Sequence, residues 1–144
     1  MKDEKDRLDN LLAPAEPHGT FHDAMLRCLA INYEEATCAA EFEFHVGDPN
    51  ASNKAERERT RVGCLSFTGL LFWVSEPPGD VPTEPGGSAW LTSDGPLSEA
   101  PTEVGKSLSV RVPPKAEAWY FYFSDTNAFS YVAATSMAFD WATG

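Results

Sequence analysis

Residues 37 to 46 read TCAAEFEFHV, in which every second residue is apolar or small and most of the residues between are polar. A repeat of two is the side-chain period of a β-strand that buries one face and wets the other. We therefore expect a half-buried strand over residues 37–46. Its buried face would consist of Cys38, Ala40, Phe42, Phe44 and Val46.

A run of similar length, AMLRCLAINY at residues 24–33, precedes this strand and is separated from it by EEA. Two strand-like runs with so short a connection predict a hairpin, with its turn near Glu34 and Glu35. A longer run follows at residues 61–76, RVGCLSFTGLLFWVSE, and its apolar phase changes at Gly69. A glycine at such a change of phase predicts a β-bulge or a sharp bend.

The C-terminal segment, residues 119–141, holds nine of the seventeen aromatic residues of the chain. Two aromatic runs, WYFYF and FSYVAA, flank the turn-forming sequence SDTNA around Asp125, which predicts a second hairpin. A separate final strand is predicted over three residues in phase: Met137, Phe139 and Trp141.

These patterns predict an all-β or β-dominated fold, with two packed antiparallel sheets or a distorted barrel built from hairpins. A chain of 144 residues with 42% apolar content has the size of one domain, so residues 1–144 are expected to form a single domain. The N-terminal part, residues 1–19, is polar, and within it residues 3–12 predict a short helix that ends before Pro14. Three leucines share one side of this helix: Leu8, Leu11 and Leu12.

Residues 75–118 differ in composition from the rest, since eight of the eleven prolines fall within them. Such a Pro/Gly-rich insert predicts a long loop and not a central strand or a long helix. Two features indicate partial order within it. Trp90 is costly to leave in water, and KSLSVRV at residues 106–112 alternates as a short strand would.

The chain carries 22 acidic and 11 basic residues, which give a formal net charge of −11. Its field argues against nucleic acid and anionic membrane as ligands and favours a basic protein partner. The N-terminus has no signal-peptide core and no run reaches the roughly 18 apolar residues of a membrane span, so we expect a cytoplasmic protein. Three cysteines in strand-like runs predict buried thiols in a reducing compartment: Cys28, Cys38 and Cys64.

Three stretches, FHDAML, CLSFTGLLFWVSEPP and YFYFSDTNAFSYVAATSMAFDW, resemble a group of small uncharacterised bacterial proteins. Some members of that group look like the immunity proteins that are encoded beside polymorphic toxins. The resemblance covers most of the chain apart from the first dozen residues and the Pro-rich insert. It implies a β-rich domain with a helix or two at most, and it implies no established catalytic residues.

The dipeptide His22-Asp23 stands where the polar N-terminal segment meets the first strand. A metal site needs several ligands that converge, yet the other histidines, His18 and His45, lie on a Pro/Gly-broken segment and on a wetted strand face. We therefore predict no catalytic residue, metal or cofactor here. The favoured interpretation is polar closure, in which both side chains bond backbone groups left unpaired at the strand start. A partner contact stays open as the alternative.

The insert suggests a function in binding. Residues 76–105 contain six carboxylates and no Lys or Arg, with Trp90 near their middle. We expect a non-enzymatic acidic protein of the immunity type that holds a basic toxin or nuclease through a Trp90 anchor and steering charges. The carboxylates expected to attract the basic partner are those of Glu84, Asp94 and Glu99. The competing interpretation is that the insert only covers an apolar sheet face.

The alternative function is a small-ligand carrier or a hydrolase. Antiparallel barrels of this size can hold a ligand, and the pocket would have His22, Asp23 and Tyr33 near its rim. A deep pocket that gathers these groups would favour this function. A barrel interior filled by Phe and Leu side chains would count against it.

Overall fold

The computed structural model describes residues 7–13, 15–80, 85 and 89–143. In this part of the chain, six antiparallel strands form one sheet that closes into a barrel in the order β1-β2-β3-β6-β5-β4, so the predicted β-dominated fold is confirmed. No helix among the described residues is long and apolar enough to cross a membrane. The elements are α1 (Arg7–Asn10), β1 (Met25–Asn32), β2 (Thr37–His45), α2 (Lys54–Arg57), β3 (Thr60–Ser75), β4 (Ala89–Pro96), a 3₁₀ helix (Leu97–Glu99), α3 (Glu103–Ser109), β5 (Glu117–Phe123) and β6 (Ala128–Trp141).

The first hairpin is the one that the sequence predicted. Strands β1 and β2 pair from Asn32 and Thr37 outward. In the turn between them, Ala36 takes a positive φ of 55°, and the Asn32 side chain accepts a hydrogen bond from the amide of Glu35. The even-numbered residues of β2 from Cys38 onward face the interior and are buried, as expected of a strand with period two.

The predicted bulge in β3 is also present, close to Gly69. This residue has a φ of +66°, and the pairing of β3 with β6 shifts register between Leu70 and Phe72. The pairing of β3 with β2 reaches only to Thr68, whereas its pairing with β6 continues to Ser75. The bulge therefore bends β3 away from β2 and lets its second half run along β6 alone.

The predicted break within the C-terminal segment is wrong, because β6 is one continuous strand of 14 residues. Its middle lies opposite the bulge of β3. There the Thr135 hydroxyl donates a 2.9 Å hydrogen bond to the Thr68 carbonyl. This bond holds the two strands together across the irregular register, so no turn is needed between the aromatic run and the last residues.

The Pro/Gly-rich insert is a loop only in part, since it supplies the barrel strand β4. Gly95 suits this strand because a Cβ there would lie 2.9 Å from the Tyr120 ring. Pro96 pairs with Trp119 at the strand end, where a missing amide hydrogen costs little. The insert therefore tolerates strand structure because its glycine and proline occupy special positions.

The strand predicted over residues 106–112 is wrong, because α3 occupies most of this stretch. The helix begins with the Thr102 hydroxyl, which accepts a hydrogen bond from the amide of Gly105, as an N-cap does. Leu108 and Val112 are spaced by four, which fits a helical turn as well as a strand. Both pack on the outer face of the barrel.

A small second core lies outside the barrel, beneath the insert. The buried residues Leu97, Ala100 and Tyr131 form its centre. Tyr131 donates a 2.9 Å hydrogen bond to Glu76 and also bonds the Thr102 hydroxyl. Burial raises the pKa of Tyr131 to about 12. This part of the insert therefore covers an apolar sheet face, as the competing interpretation expected.

The barrel interior is filled with apolar side chains, and the N-terminal segment packs against them. Leu8 and Leu12 belong to this core; Leu8 lies on α1, and residues 3–6 of the predicted helix lie outside the described residues. Glu16, only 5% exposed, accepts hydrogen bonds from Arg59 and Arg61. The interior residues include Phe21, Phe42, Phe44, Leu65, Phe67, Leu91, Trp119, Phe121, Phe123 and Val132.

All three cysteines are free. Cys38 is buried, and burial raises the pKa of its thiol to about 11. Cys64 is half-buried. The prediction of burial is wrong for Cys28, which is exposed on the outer face of β1, because its pairing with Glu41 places it on the wetted side of the sheet.

Candidate functional site

His22 and Asp23 lie in the turn that leads into β1, beside β4. The amide of Asp23 donates a 2.7 Å hydrogen bond to the Leu91 carbonyl, and the amide of Leu91 donates one of 2.8 Å to the Ala24 carbonyl. The His22 Nδ1 atom lies 2.8 Å from the Thr92 carbonyl oxygen. Because a carbonyl only accepts, this ring nitrogen carries the proton. The pair thus fastens the start of β1 to β4.

Asp23 also contacts Trp90 through its side chain. Its backbone has a positive φ of 70°, which Asp tolerates better than most residues. In this conformation Oδ1 accepts a 2.9 Å hydrogen bond from the Trp90 indole nitrogen, and Oδ2 lies 3.7 Å from His22 Nε2. The structure therefore brings together two groups that the sequence had proposed for separate sites.

Three hydrogen bonds fix the position of Trp90, although this residue is 42% exposed to solvent. Its backbone amide donates a 3.1 Å hydrogen bond to the Asp125 carboxylate, and its carbonyl accepts one of 3.0 Å from the Ser124 amide. The indole bond to Asp23 is the third contact. The result is a fixed aromatic residue at the protein surface, with one carboxylate bound to its indole and another bound to its backbone amide. We call Trp90, Asp23 and Asp125 the Trp90 site.

Asp94 has a different environment from the one expected. It pairs with Phe121 across β4 and β5, and Phe121 faces the barrel interior, so the Asp94 side chain points inward too. Burial raises the pKa of Asp94 to about 7; the Asp9 carboxylate raises it further, and His22 opposes the shift. A carboxyl that is half protonated near neutral pH and turned inward is poorly suited to long-range steering.

The other proposed charges are dispersed. Glu99 is exposed on the 3₁₀ helix, beyond the end of β4. Glu84 lies outside the described residues. Glu76, one of the six carboxylates of the insert, accepts hydrogen bonds from the Phe129 amide and from Tyr131. It therefore serves the second core and not a binding surface.

Tyr33 does not join His22 and Asp23 around a ligand pocket. Tyr33 follows the far end of β1, and this strand, about 25 Å long, separates it from the turn that holds His22. The space between them inside the barrel is filled by the aromatic core. A surface cavity of about 590 Å³ is lined by Glu43, Arg61, Trp141 and their neighbours, away from His22. Among the described residues, no group of three or more His, Cys, Asp or Glu side chains is placed to hold a metal ion.

The role of Asp125 shows what sequence reasoning missed. The sequence identified it as a turn former in SDTNA, which it is, since residues 124–127 join β5 to β6. Its contact with Trp90 spans 35 residues, and no local pattern links positions so far apart. The one signal in the sequence that could have indicated a role for Asp125 is its position as an acidic residue in a turn beside an aromatic strand.

Comparisons of the chain with protein families, with curated proteins and with solved structures found no match. The geometry of the Trp90 site and the charge of the chain are therefore the grounds on which a function can be assigned.

Proposed function

We propose that the protein is a non-enzymatic acidic binding protein that holds a basic protein partner in the cytoplasm, such as a toxin or nuclease, in the manner of an immunity protein. The observation that carries this proposal is the Trp90 site, in which Asp23 binds the half-exposed indole and Asp125 binds the backbone amide of the same residue. Exposed, immobilised tryptophans are typical of the residues that dominate binding energy in protein interfaces.

The indole is suited to an anchor because its polar edge is already satisfied. Its N–H group donates to Asp23 within the protein. A partner that covers the ring therefore breaks no hydrogen bond and buries a large apolar surface. The same ring face can accept a lysine or arginine side chain, whose charge is attracted both by the aromatic ring and by the two neighbouring carboxylates.

The charge of the chain supports a basic partner. A formal net charge of −11 attracts a cationic surface over a distance of about 8 Å, the Debye length at physiological ionic strength. The Asp23 side chain is 46% exposed and Asp125 is exposed, whereas Asp94 points inward. We therefore assign the local steering role to Asp23 and Asp125, in place of the Asp94 expected from the sequence.

The test uses the product of the neighbouring gene as the first candidate partner, with association and dissociation rates measured over a salt series. Trp90→Ala should raise the dissociation rate about 30-fold, since loss of a central anchor costs about 2 kcal/mol. The double variant D23N/D125N should slow association and flatten its salt dependence, because asparagine keeps both hydrogen-bond acceptors and removes both charges.

The matched control is E58Q/D140N, which removes two exposed carboxylates away from the Trp90 site. It changes the net charge equally, so it should slow association much less than D23N/D125N. If Trp90→Ala and D23N/D125N bind a true partner like the natural protein while circular dichroism shows an intact fold, the Trp90 site is not the binding surface.

A further inference from the structure

A small groove lies on the protein surface beside the bulge of β3. Its walls are Leu71 of β3, the segment 113–116 that leads into β5, and Thr135 of β6. The cavity of about 240 Å³ is smaller than the roughly 300–1,000 Å³ that drug-sized ligands occupy, so it suits one large side chain. Leu71 is 45% exposed, and the segment beside it contributes two exposed prolines, Pro113 and Pro114. The groove therefore offers an accessible apolar surface.

The groove is basic, in contrast to the chain as a whole. Residues 104–116 contain Lys106, Arg111 and Lys115 and no acidic residue, although the chain has 22 acidic and 11 basic residues. Lys106 pairs with Glu103. No carboxylate in the described part of the chain lies within ion-pair distance of Arg111 or Lys115. Because Lys115 is exposed and lines the groove, an apolar surface and an unneutralised positive charge lie together there.

The turn between β1 and β2 presents the complementary combination. Tyr33 is 83% exposed, and the two residues after it, Glu34 and Glu35, are exposed as well. Neither glutamate forms an ion pair with a described residue. The turn is fixed, since the Asn32 side chain accepts a 3.0 Å hydrogen bond from the Glu35 amide and the Tyr33 carbonyl accepts one of 3.3 Å from the Ala36 amide. We call residues 33–35 the tyrosine turn.

The tyrosine turn and the groove are neighbours within one molecule. The Ala36 carbonyl accepts a 2.7 Å hydrogen bond from the Leu70 amide, and the next residue, Leu71, lines the groove. Tyr33 is too exposed to occupy the groove of its own chain. When a protruding residue and a complementary groove lie side by side, a two-fold axis between them allows two copies to exchange the contact reciprocally.

We propose that the chain forms a two-fold homodimer in which the tyrosine turn of each copy enters the groove of the other. In this arrangement the Tyr33 ring packs on Leu71 and the two prolines of the second copy, as aromatic anchors do at protein interfaces. The two carboxylates of the turn lie beside Lys115 of the second copy. The inference does not depend on the proposed function, since neither Trp90 nor its two carboxylate partners line the groove.

The overall charge of the chain limits the strength of this dimer. Two molecules with a net charge of −11 repel each other, but this repulsion is screened beyond about 8 Å at physiological ionic strength. The opposite charges of the turn and the groove meet at shorter range, where screening is weaker. Because the contact is small and the net charge opposes it, we expect a weak dimer with a dissociation constant of about 0.1 mM.

The test measures the oligomeric state of the full chain by sedimentation equilibrium, at concentrations from about 10 µM to 1 mM. The natural chain should pass from monomer to dimer in this range and form nothing larger. Three variants, Y33A, K115E and E34K/E35K, should each weaken dimerisation at least about tenfold, because they remove the anchor or bring like charges together. The control K54E changes an exposed lysine of α2. It alters the net charge as K115E does, so it should weaken dimerisation much less.

A mixture of two variants tests the reciprocal contact directly. K115E alone gives an acidic groove opposite an acidic turn, and E34K/E35K alone gives a basic turn opposite a basic groove. In a dimer with one copy of each variant, both contacts pair opposite charges. The equimolar mixture should therefore dimerise about tenfold more tightly than either variant alone.

Several outcomes would overturn the inference while circular dichroism shows folded variants. These are a natural chain that stays monomeric at about 1 mM, dimerisation that Y33A, K115E and E34K/E35K leave unchanged, and a mixture that associates no better than its components. Equal weakening by K54E and K115E would show that net charge alone controls association. A series of species larger than a dimer would show an open contact and not a two-fold one.

Discussion

The indole nitrogen of Trp90 and the carboxylate of Asp23 are hydrogen-bonded at 2.9 Å although they stand 67 residues apart in the chain. The bond joins the Pro/Gly-rich insert to the start of the first strand. It therefore has a structural role in the free protein, besides the binding role proposed for Trp90. The two roles can be separated by substitutions that keep or remove the hydrogen-bond acceptor.

We expect Asp23→Ala to lower the free energy of unfolding by about 1–3 kcal/mol. The substitution removes the acceptor of the Trp90 bond and places alanine at a φ of 70°, a conformation that alanine adopts unwillingly. Asp23→Asn keeps both the acceptor and a residue suited to this φ, so it should cost much less. Urea unfolding measures the difference. Equal losses in the two variants would show that the charge of Asp23, and not its hydrogen bond, stabilises the fold.

We expect Asp94 to make the protein less stable as the pH rises from about 4 to above 7. Burial raises the pKa of this carboxyl to about 7 in the folded protein, from an ordinary value of 3.8. Between these values the folded chain holds a proton that the unfolded chain has lost, so folding becomes less favourable as the pH increases. The full effect amounts to at most about 4 kcal/mol.

The variant Asp94→Asn isolates this effect, because it retains the shape and loses the titration. Relative to the natural protein, its free energy of unfolding should be higher at pH 8 and nearly equal at pH 4. Chemical unfolding at a series of pH values gives the difference curve. A difference that stays flat between pH 4 and pH 8 would mean that Asp94 ionises normally in the folded state.

Glu16 should have the opposite pH dependence. Hydrogen bonds from Arg59, opposed by burial and aided by Arg61, hold the pKa of this carboxyl below its usual value. Its contribution to stability is therefore present at neutral pH and is lost as the pH falls through the lowered pKa. We expect Glu16→Gln to cost about 2 kcal/mol at pH 7 and progressively less in acid. A cost that does not fall in acid would refute an ionic origin.

Gly69→Ala should destabilise the barrel next to the bulge of β3. The residue has a φ of +66°, and a Cβ there would lie 2.0 Å from Thr135 Oγ1. Strained backbone and steric overlap both oppose the methyl group, so we expect a loss of about 2–4 kcal/mol. Thermal unfolding of G69A, T135A and the double variant tests the cause. The double variant should lose less than the sum of the two single losses.

The strands that were predicted correctly are those whose local pattern and tertiary environment agree. In residues 37–46 the alternation of apolar and polar residues corresponds directly to the inner and outer faces of the barrel. The glycine at position 69 marked a change of phase, and the register shift of β3 lies directly after it, between Leu70 and Phe72. The strand predicted over residues 106–112 was wrong because the spacing of Leu108 and Val112 fits a helix as well as a strand. The N-cap at Thr102 favours the helix.

Strand β4 and the Trp90 site show why the remainder was not predictable. The inner face of β4 carries Leu91, Asp94 and Pro96, and its register shifts between Leu91 and Ser93, so no alternation is visible in its sequence. It is a strand because its neighbours on both sides supply hydrogen-bond partners. The partners of Trp90 likewise come from the first and last thirds of the chain, and only the closed ring brings them together.

The position of β6 in the ring has a consequence for how the protein is made. This strand lies between β3 and β5, and it is the last of the six described strands to leave the ribosome. Before then, β3 has only β2 beside it and β5 has only β4. The aromatic faces of both half-sheets are exposed to the cell during that interval. Much of the future barrel interior therefore stays uncovered until β6 has been synthesised. If translation stops before Ala128, the released chain lacks β6 and its sheet cannot close into a barrel.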